Sequence, residues 1–264
     1  MKKISNAFLV SALLMIAAAG CKKSQDATPQ TGDALTQTGT EQIISSENGV
    51  VTASRTVSGD NVTLILRPAK VNGSDAMILR YDPDPNYANL NKGQEVDIPA
   101  LTWTAGGIPT YRRSLICFNQ LSLIPSGATI VSAKLELYGL PSGGSPNCPQ
   151  GNSYYTGGYS INPFWLQTCT SSWNEGSVTW NTQPTTNTLT QVSVQPPMGQ
   201  FNVNCAGLTG INIKPFVQSW VATPPSNYGM MMVLQNELPY TSVTFGSSEN
   251  TVNYRPKLTV VFHL

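Results

Sequence analysis

The strongest constraint on the fold of this chain is an alternation of apolar and polar residues that recurs in several short segments. At the C-terminus, for example, Leu258, Val260, Phe262 and Leu264 occupy every second position. Because successive side chains of a β-strand point to opposite faces, this pattern predicts strands with one buried face. Strands are predicted at residues 62–67, 113–119, 133–138, 177–180, 230–234, 242–245 and 258–264.

Turn-forming residues separate these segments, for example Pro125-Ser126-Gly127 and Asn227-Tyr228-Gly229. A helical pattern occurs at residues 214–221, where the apolar side chains share one face and Pro215 suits a first helical turn. Many short strands with regular turns favour a sandwich or a jelly roll. We therefore predict an all-β fold, a jelly-roll-like β-sandwich with one short helix.

The N-terminus has the features of an export signal. Lys2 and Lys3 precede an apolar stretch that is too short to cross a bilayer, and small residues lead into Cys21. The segment 18–21 resembles the lipobox of bacterial lipoproteins, which implies lipid on the Cys21 sulfur. We expect a signal peptide at 1–20, a flexible polar stalk at 21–48 and one domain at 49–264. The expected location is the cell envelope, anchored to a membrane by lipid and facing the periplasm or the cell surface.

The charge balance argues against nucleic acid as a partner. From Glu47 onward the chain contains eleven Lys plus Arg and eleven Asp plus Glu, so this part has no net charge. A general nucleic-acid binder would need a basic excess or stripe.

Four cysteines remain once Cys21 is assigned to lipid, namely Cys117, Cys148, Cys169 and Cys205. An even number in an exported chain predicts one or two disulfides, and three full pairings are open. We favour Cys148 with Cys169, because that bridge would staple the base of the Gly/Pro/Ser-rich segment between them.

Several strings, taken in order, resemble the DNRLRE-domain family, which overlaps carbohydrate-binding module family 96. The strings lie at residues 74–76, 86–89, 113–119, 125–138, 173–181, 217–220, 227–229 and 254–258. The resemblance implies a β-sandwich jelly roll that accompanies polysaccharide-degrading enzymes or sits on cell surfaces, with alginate binding in some members. Cys117 stands where a basic residue is usual in the family, and Asn119 where Asp is usual.

Signatures of catalysis are scarce. The single histidine, His263, is expected on the outward face of the last strand, and no nucleophile elbow, zinc helix, phosphate loop or Cys-x-x-Cys pair occurs. Paired carboxylates could still hydrolyse glycosides. The carboxylates in question are Glu136, Glu175, Glu237 and Glu249. We expect Glu136 to be an outward strand residue and Glu175 to belong to a turn, and we predict that the chain is not an enzyme.

The loop after Tyr81 is rich in side-chain oxygens, which a hard cation such as calcium would accept. They belong to Asp82, Asp84, Asn86, Asn89 and Asn91. A solvated turn is the more common explanation of such a loop. We therefore expect no cofactor and no metal ligands, with a structural calcium ion as the alternative.

Sugar binding needs flat apolar faces and planar polar groups. Aromatic residues in loop-like or half-exposed contexts are Trp103, Tyr111, Tyr154, Tyr155, Tyr159 and Trp165. The predicted binding residues are Arg80, Lys92, Trp103, Tyr111, Arg112 and Arg113. Trp173, Trp180 and Trp220 are expected to pack in the core or in hairpins.

Arg112 and Arg113 should point to opposite faces of their strand, so that one of them is free to meet a ligand. The guanidinium fork would hold a uronate carboxylate through two bonds, whereas a neutral glycan would depend on aromatic stacking. Our leading hypothesis is a noncatalytic, lipid-anchored protein that binds a polysaccharide, acidic if the arginines meet it. The alternatives are a structural or adhesive surface protein and, less favoured, a polysaccharide-degrading enzyme.

Overall fold

The computed structural model describes residues 39–47, 50–69, 74–139, 162–195 and 208–264. These residues form thirteen strands and one α-helix, with a few short 3-10 turns. The strands are β1 (Gln42–Glu47), β2 (Val50–Ser58), β3 (Asn61–Leu66), β4 (Ser74–Tyr81), β5 (Asp97–Ala105), β6 (Ile108–Cys117), β7 (Thr129–Leu137), β8 (Phe164–Cys169), β9 (Thr186–Val194), β10 (Leu208–Asn212), β11 (Met230–Leu234), β12 (Thr241–Gly246) and β13 (Lys257–His263). The helix α1 spans Lys214–Ala222.

The strands form two antiparallel sheets. The first sheet has the order β1-β2-β3-β13-β7-β10, and the second has the order β12-β5-β6-β11-β8-β9. β4 pairs with one edge of β6, and β5 and β11 pair with the other edge of β6. The central position of β6 matters for function, because the side chains of β4 and β6 lie side by side on the outer face of the second sheet.

The main core lies between the two sheets. Leu64, Leu135 and Val260 contribute to it from the first sheet, and Phe164 and Phe245 from the second. The apolar face of α1 covers part of this core, as its helical pattern predicts. The all-β sandwich with one short helix is therefore confirmed.

A second, smaller core lies on the outer face of the second sheet. Ala76, Ile78 and Leu115 point outward from β4 and β6, and Trp173 and Trp180 of the segment between β8 and β9 cover them. This segment includes residues 177–180, for which we predicted a strand. That prediction is wrong, because the apolar side chains there pack down onto the sheet from a loop that does not pair with it.

The other predicted strands are present, with small shifts of their ends. The strand predicted at 113–119 begins earlier, at Ile108, and ends at Cys117. The first strand, Gln42–Glu47, lies within the residues that we assigned to the stalk, so the paired structure begins before residue 49. Among the described residues, no helix is both long enough and apolar enough to cross a membrane.

Candidate functional site

Three of the six predicted binding residues meet on the outer face of the second sheet. Arg80 of β4 lies directly opposite Tyr111 of β6, and Ile78 lies opposite Arg113. Because strand side chains alternate, Arg80, Tyr111 and Arg113 share one face. The register between two antiparallel strands therefore places the Tyr111 ring beside Arg80, with Arg113 two residues further along β6 on the same face.

Trp180 completes this arrangement from the covering loop. The guanidinium carbon of Arg80 lies 4.5 Å from the centre of the Tyr111 ring and 5.3 Å from that of Trp180. The guanidinium carbon of Arg113 lies 4.7 Å from the centre of the Trp180 ring. Such distances are typical of cation–π contacts, which hold the cations in fixed positions over the rings.

Both arginines also form ion pairs. Arg113 donates from Nε and Nη2 to the two carboxylate oxygens of Glu237, each at 2.8 Å, and from Nη1 to Oε1 of Gln183 at 3.4 Å. Nε of Arg80 lies 2.7 Å from Oδ1 of Asp82. We call Arg80, Asp82, Tyr111, Arg113, Trp180, Gln183 and Glu237 together the arginine–aromatic patch.

The patch is accessible at its polar groups and at Tyr111, and closed at Trp180. The side chains of Arg80 and Asp82 are 40% and 57% exposed, and those of Arg113 and Glu237 are 25% and 24% exposed. Trp180 is only 9% exposed. A ligand that approaches this face would therefore meet guanidinium, carboxylate and amide groups first, with the edges of the rings beneath them.

Arg112 points to the opposite face of β6, as the alternation predicted. It interacts with Asp97, whose carboxyl is partly buried. Burial raises the pKa of Asp97, and the charge of Arg112 acts to lower it, with burial prevailing. Arg112 is therefore not part of the patch.

The remaining two predicted residues also lie apart from the patch. Nζ of Lys92 bonds to Oε1 of Glu95 at 2.7 Å. The ring of Trp103 packs edge-on against Tyr240, with 5.3 Å between centroids, and Tyr240 has a positive φ of 67°. Trp103 thus belongs to a second aromatic pair near the β5–β6 turn.

Two contributors to the patch were missed as binding residues from the sequence. Trp180 was assigned to packing alone, and Glu237 was considered only as a catalytic carboxylate. No local signal links them to Arg113, since 124 residues separate Arg113 from Glu237. Tyr154, Tyr155 and Tyr159, also considered for binding, lie outside the described residues.

The side chains of the oxygen-rich loop after Tyr81 form separate contacts and do not converge on one point. Asp82 pairs with Arg80, and Oδ1 of Asp84 accepts a hydrogen bond from the backbone amide of Asn86. The side-chain amide of Asn91 donates from Nδ2 to the backbone carbonyl oxygens of Glu175 and Val178, at 2.7 and 2.8 Å. These contacts hold the loop to the covering segment, which supports the reading of the loop as structural.

Three other carboxylates do converge. Asp75, Glu175 and Glu249 each place an oxygen within 4.8 Å of the others, and Asp75 and Glu175 are buried. The amide of Ser248 donates to Oδ2 of Asp75 at 2.9 Å. Glu175 and Glu249 were two of the carboxylates considered for hydrolysis; Glu175 is buried and Glu249 is half-buried.

Burial raises the pKa of Asp75 well above its ordinary value, and the nearby charges of Glu249 and Glu175 raise it further. The hydrogen bonds from Ser248 act in the opposite direction and are outweighed. A proton or a hard cation could neutralise this cluster, since carboxylate oxygens are the ligands that calcium prefers.

The predicted disulfide is not found in the part of the chain that the structure describes. Cys169 ends β8 and is buried in the second core with Trp173, Cys117 is also buried, and no disulfide joins these two described cysteines. The favoured pairing of Cys148 with Cys169 stays a prediction, because Cys148 lies outside the described residues. Cys148 and Cys205 lie outside the described residues, as does Cys21.

The outer face of the first sheet carries a cluster that is comparable in chemistry. The guanidinium carbon of Arg67 lies 5.6 Å from the centre of the Tyr138 ring. Nζ of Lys257 lies 2.7 Å from Oε1 of Glu136, and the Tyr138 hydroxyl donates to Oε2 of Glu136 at 2.7 Å. This cluster provides matched control positions for the patch, because it too places an arginine over a tyrosine ring and pairs a glutamate with a cation, on the opposite sheet.

The comparisons with known proteins agree with the fold. A family model described as carbohydrate-binding module family 96 matches residues 74–262, which run from β4 to β13. No curated protein matches the chain. The match includes every residue of the arginine–aromatic patch and begins after β1–β3.

Proposed function

This chain belongs to carbohydrate-binding module family 96, and from that premise we propose that it binds a polysaccharide without cleaving it, through the arginine–aromatic patch. The observation that carries the proposal is the convergence of Arg80, Tyr111, Arg113 and Glu237 from separate segments on one accessible face. Family membership supports carbohydrate binding, and the geometry supports this particular surface.

The chemistry of the patch suits sugar hydroxyls. Guanidinium groups are planar donors, carboxylates are planar acceptors, and Gln183 offers both functions in one amide. Adjacent hydroxyls on a sugar ring can bond to such groups in pairs, while the C–H face of the sugar ring contacts the half-exposed side chain of Tyr111. Binding of this kind uses only side chains of the chain itself.

The proposal is tested by affinity electrophoresis of the domain in gels that contain soluble polysaccharides. Arg80→Ala should weaken retardation about tenfold, which corresponds to about 1.4 kcal/mol, the size of one charge-assisted hydrogen bond. Tyr111→Ala should weaken it by a similar factor.

Arg67→Ala is the matched control, because it removes an arginine stacked on a tyrosine from the opposite sheet. It should leave retardation unchanged. Loss of binding in Arg67→Ala alone would place the site on the first sheet and refute the proposed surface. Circular dichroism and thermal unfolding of each variant separate loss of binding from loss of folding.

We also propose that the domain is held at the cell envelope by lipid on Cys21, facing the periplasm or the cell surface. The lipobox-like segment before Cys21 supports this. Cys21→Ser should move the protein from the membrane fraction to the soluble fraction. Unchanged partitioning would contradict the anchor.

A structural or adhesive role is the alternative, and exposed apolar residues on the first two strands favour it. Ile43 is 60% exposed, and Val51 is also exposed. β1, which carries Ile43, is an edge strand, and exposed apolar residues there are suited to contact another protein. If no polysaccharide retards the domain, the adhesive role becomes the better explanation.

A further inference from the structure

The charges of the arginine–aromatic patch cancel one another. Arg80 is paired with Asp82, and Arg113 is paired with Glu237, so two cations face two anions. The next charged residue along the chain from Asp82 is Asp84, which adds a negative charge. The surface that a ligand would meet is therefore neutral or slightly acidic.

The binding edge of Arg113 is also occupied. Its Nε and Nη2 groups form the fork that would hold a ligand carboxylate through two bonds, and both already bond to Glu237 at 2.8 Å. A ligand carboxylate could take this edge only by displacing Glu237. That displacement would leave the half-buried Glu237 carboxylate without its partner and beside a second negative charge.

A neutral sugar avoids both costs. Hydroxyl groups donate as well as accept, so they can donate to the carboxylate oxygens of Asp82 and Glu237 without breaking either ion pair. A carboxylate can only accept, and it would be repelled by the two carboxylates.

We infer that the arginine–aromatic patch selects a neutral polysaccharide and rejects an acidic one, with Glu237 and Asp82 as the residues that set this specificity. The inference rests on the proposed function, since it assigns a class of ligand to that same site. From the sequence we expected one of Arg112 and Arg113 to be free to meet a ligand; in the structure Arg112 lies on the opposite face and Arg113 is paired with Glu237.

The first test compares polymers that differ only in charge. Suitable pairs are polygalacturonate with its methyl ester, and alginate with the same alginate after reduction of its carboxylates to primary alcohols; hydroxyethyl cellulose is a further neutral probe. Affinity electrophoresis is run at about 0.05 and 0.5 M NaCl, a range over which exposed charge pairs become screened.

We expect retardation on at least one neutral polymer, changing less than about twofold with salt, and no retardation on the acidic polymers. Retardation on an acidic polymer, alone or together with its neutral partner, overturns the inference and leaves the proposed function standing. Absence of retardation on every polymer overturns the proposed function, and the inference falls with it.

The second test changes the specificity. Glu237→Gln releases one side of the Arg113 fork and gives the patch a net positive charge, so this variant should be retarded by an acidic polymer at low salt and released at high salt. Glu136→Gln is the matched control, because it makes the same charge change beside Lys257 on the opposite sheet.

Gain of acidic binding in Glu237→Gln but not in Glu136→Gln supports the inference. An equal gain of acidic binding in both variants would mean that the net charge of the domain, and not the patch, decides whether acidic polymers bind. No gain in Glu237→Gln would mean that this carboxylate does not exclude acidic ligands. Either result overturns the assignment of specificity to Glu237.

Discussion

Replacement of Asp75 by Asn tests the buried carboxylate cluster, because it removes one charge and leaves the size of the side chain nearly unchanged. The amide oxygen of Asn can still accept the hydrogen bond from the amide of Ser248. The variant therefore isolates the electrostatic effect of placing Asp75 beside Glu175 and Glu249.

The magnitude follows from the geometry. Two unit charges 4.8 Å apart repel each other by about 3.5 kcal/mol at an effective dielectric constant of about 20. Protonation and local relaxation relieve part of this repulsion in the native protein. We therefore expect Asp75→Asn to raise the free energy of unfolding by about 1 to 3 kcal/mol at pH 8.

The sign of the pH dependence follows from the raised pKa of Asp75. The folded state binds this proton more tightly than the unfolded state, whose carboxyl titrates near its ordinary value of 3.8. The contribution to stability is therefore complete below about pH 4 and is lost as the pH rises through the pKa of the folded state. Native and variant curves should converge near pH 4 and separate above it.

The assay is urea unfolding followed by tryptophan fluorescence between about pH 4 and pH 8, in buffer with EDTA. The exposed Asp60, in the turn between β2 and β3, provides the control, and Asp60→Asn should change stability by less than about 0.5 kcal/mol. A variant Asp75→Asn that is less stable than the native domain at pH 8 in EDTA would refute the reasoning. If the native domain becomes as stable as the variant when calcium replaces EDTA, a cation is the group that neutralises the cluster.

Two further predictions concern stability. Gly229→Ala should destabilise the domain by at least about 2 kcal/mol in urea unfolding, because φ is +73° and the new Cβ would lie 2.3 Å from the carbonyl oxygen of Ile116. Gly106→Ala, at φ +60° with open space around it, should cost only about 1 kcal/mol, and equal losses would refute the steric argument. Burial acts to raise the pKa of Glu136, but hydrogen bonds from Lys257 and Tyr138 lower it overall. The ion pair between Glu136 and Lys257 therefore stabilises the fold above about pH 4.5. Its contribution is lost as the pH falls through the lowered pKa of Glu136. Lys257→Met should cost at most about 1 kcal/mol at pH 7 and progressively less as the pH falls through the lowered pKa of Glu136, and a loss that is independent of pH would contradict the pairing.

Much of the fold could be predicted from the sequence. The alternation in β13 and the helical spacing in α1 are local properties, and each decides which side chains are buried regardless of distant contacts. The opposite orientations of Arg112 and Arg113 follow from the same rule. The wrong strand at 177–180 marks the limit of this approach, because apolar residues that cover a sheet from outside have the same composition as residues within a strand.

The sequence by itself determined an all-β sandwich, its helix and a family resemblance, since these depend on short-range periodicity and on strings of neighbouring residues. Only the tertiary structure decided which charges meet. Arg113 could be identified as a free binding group or as a paired one only when the loop that carries Glu237 was placed beside β6, 124 residues away in the chain. Long-range pairing of this kind depends on strand register and loop packing, which place the Glu237 carboxylate against the guanidinium group of Arg113.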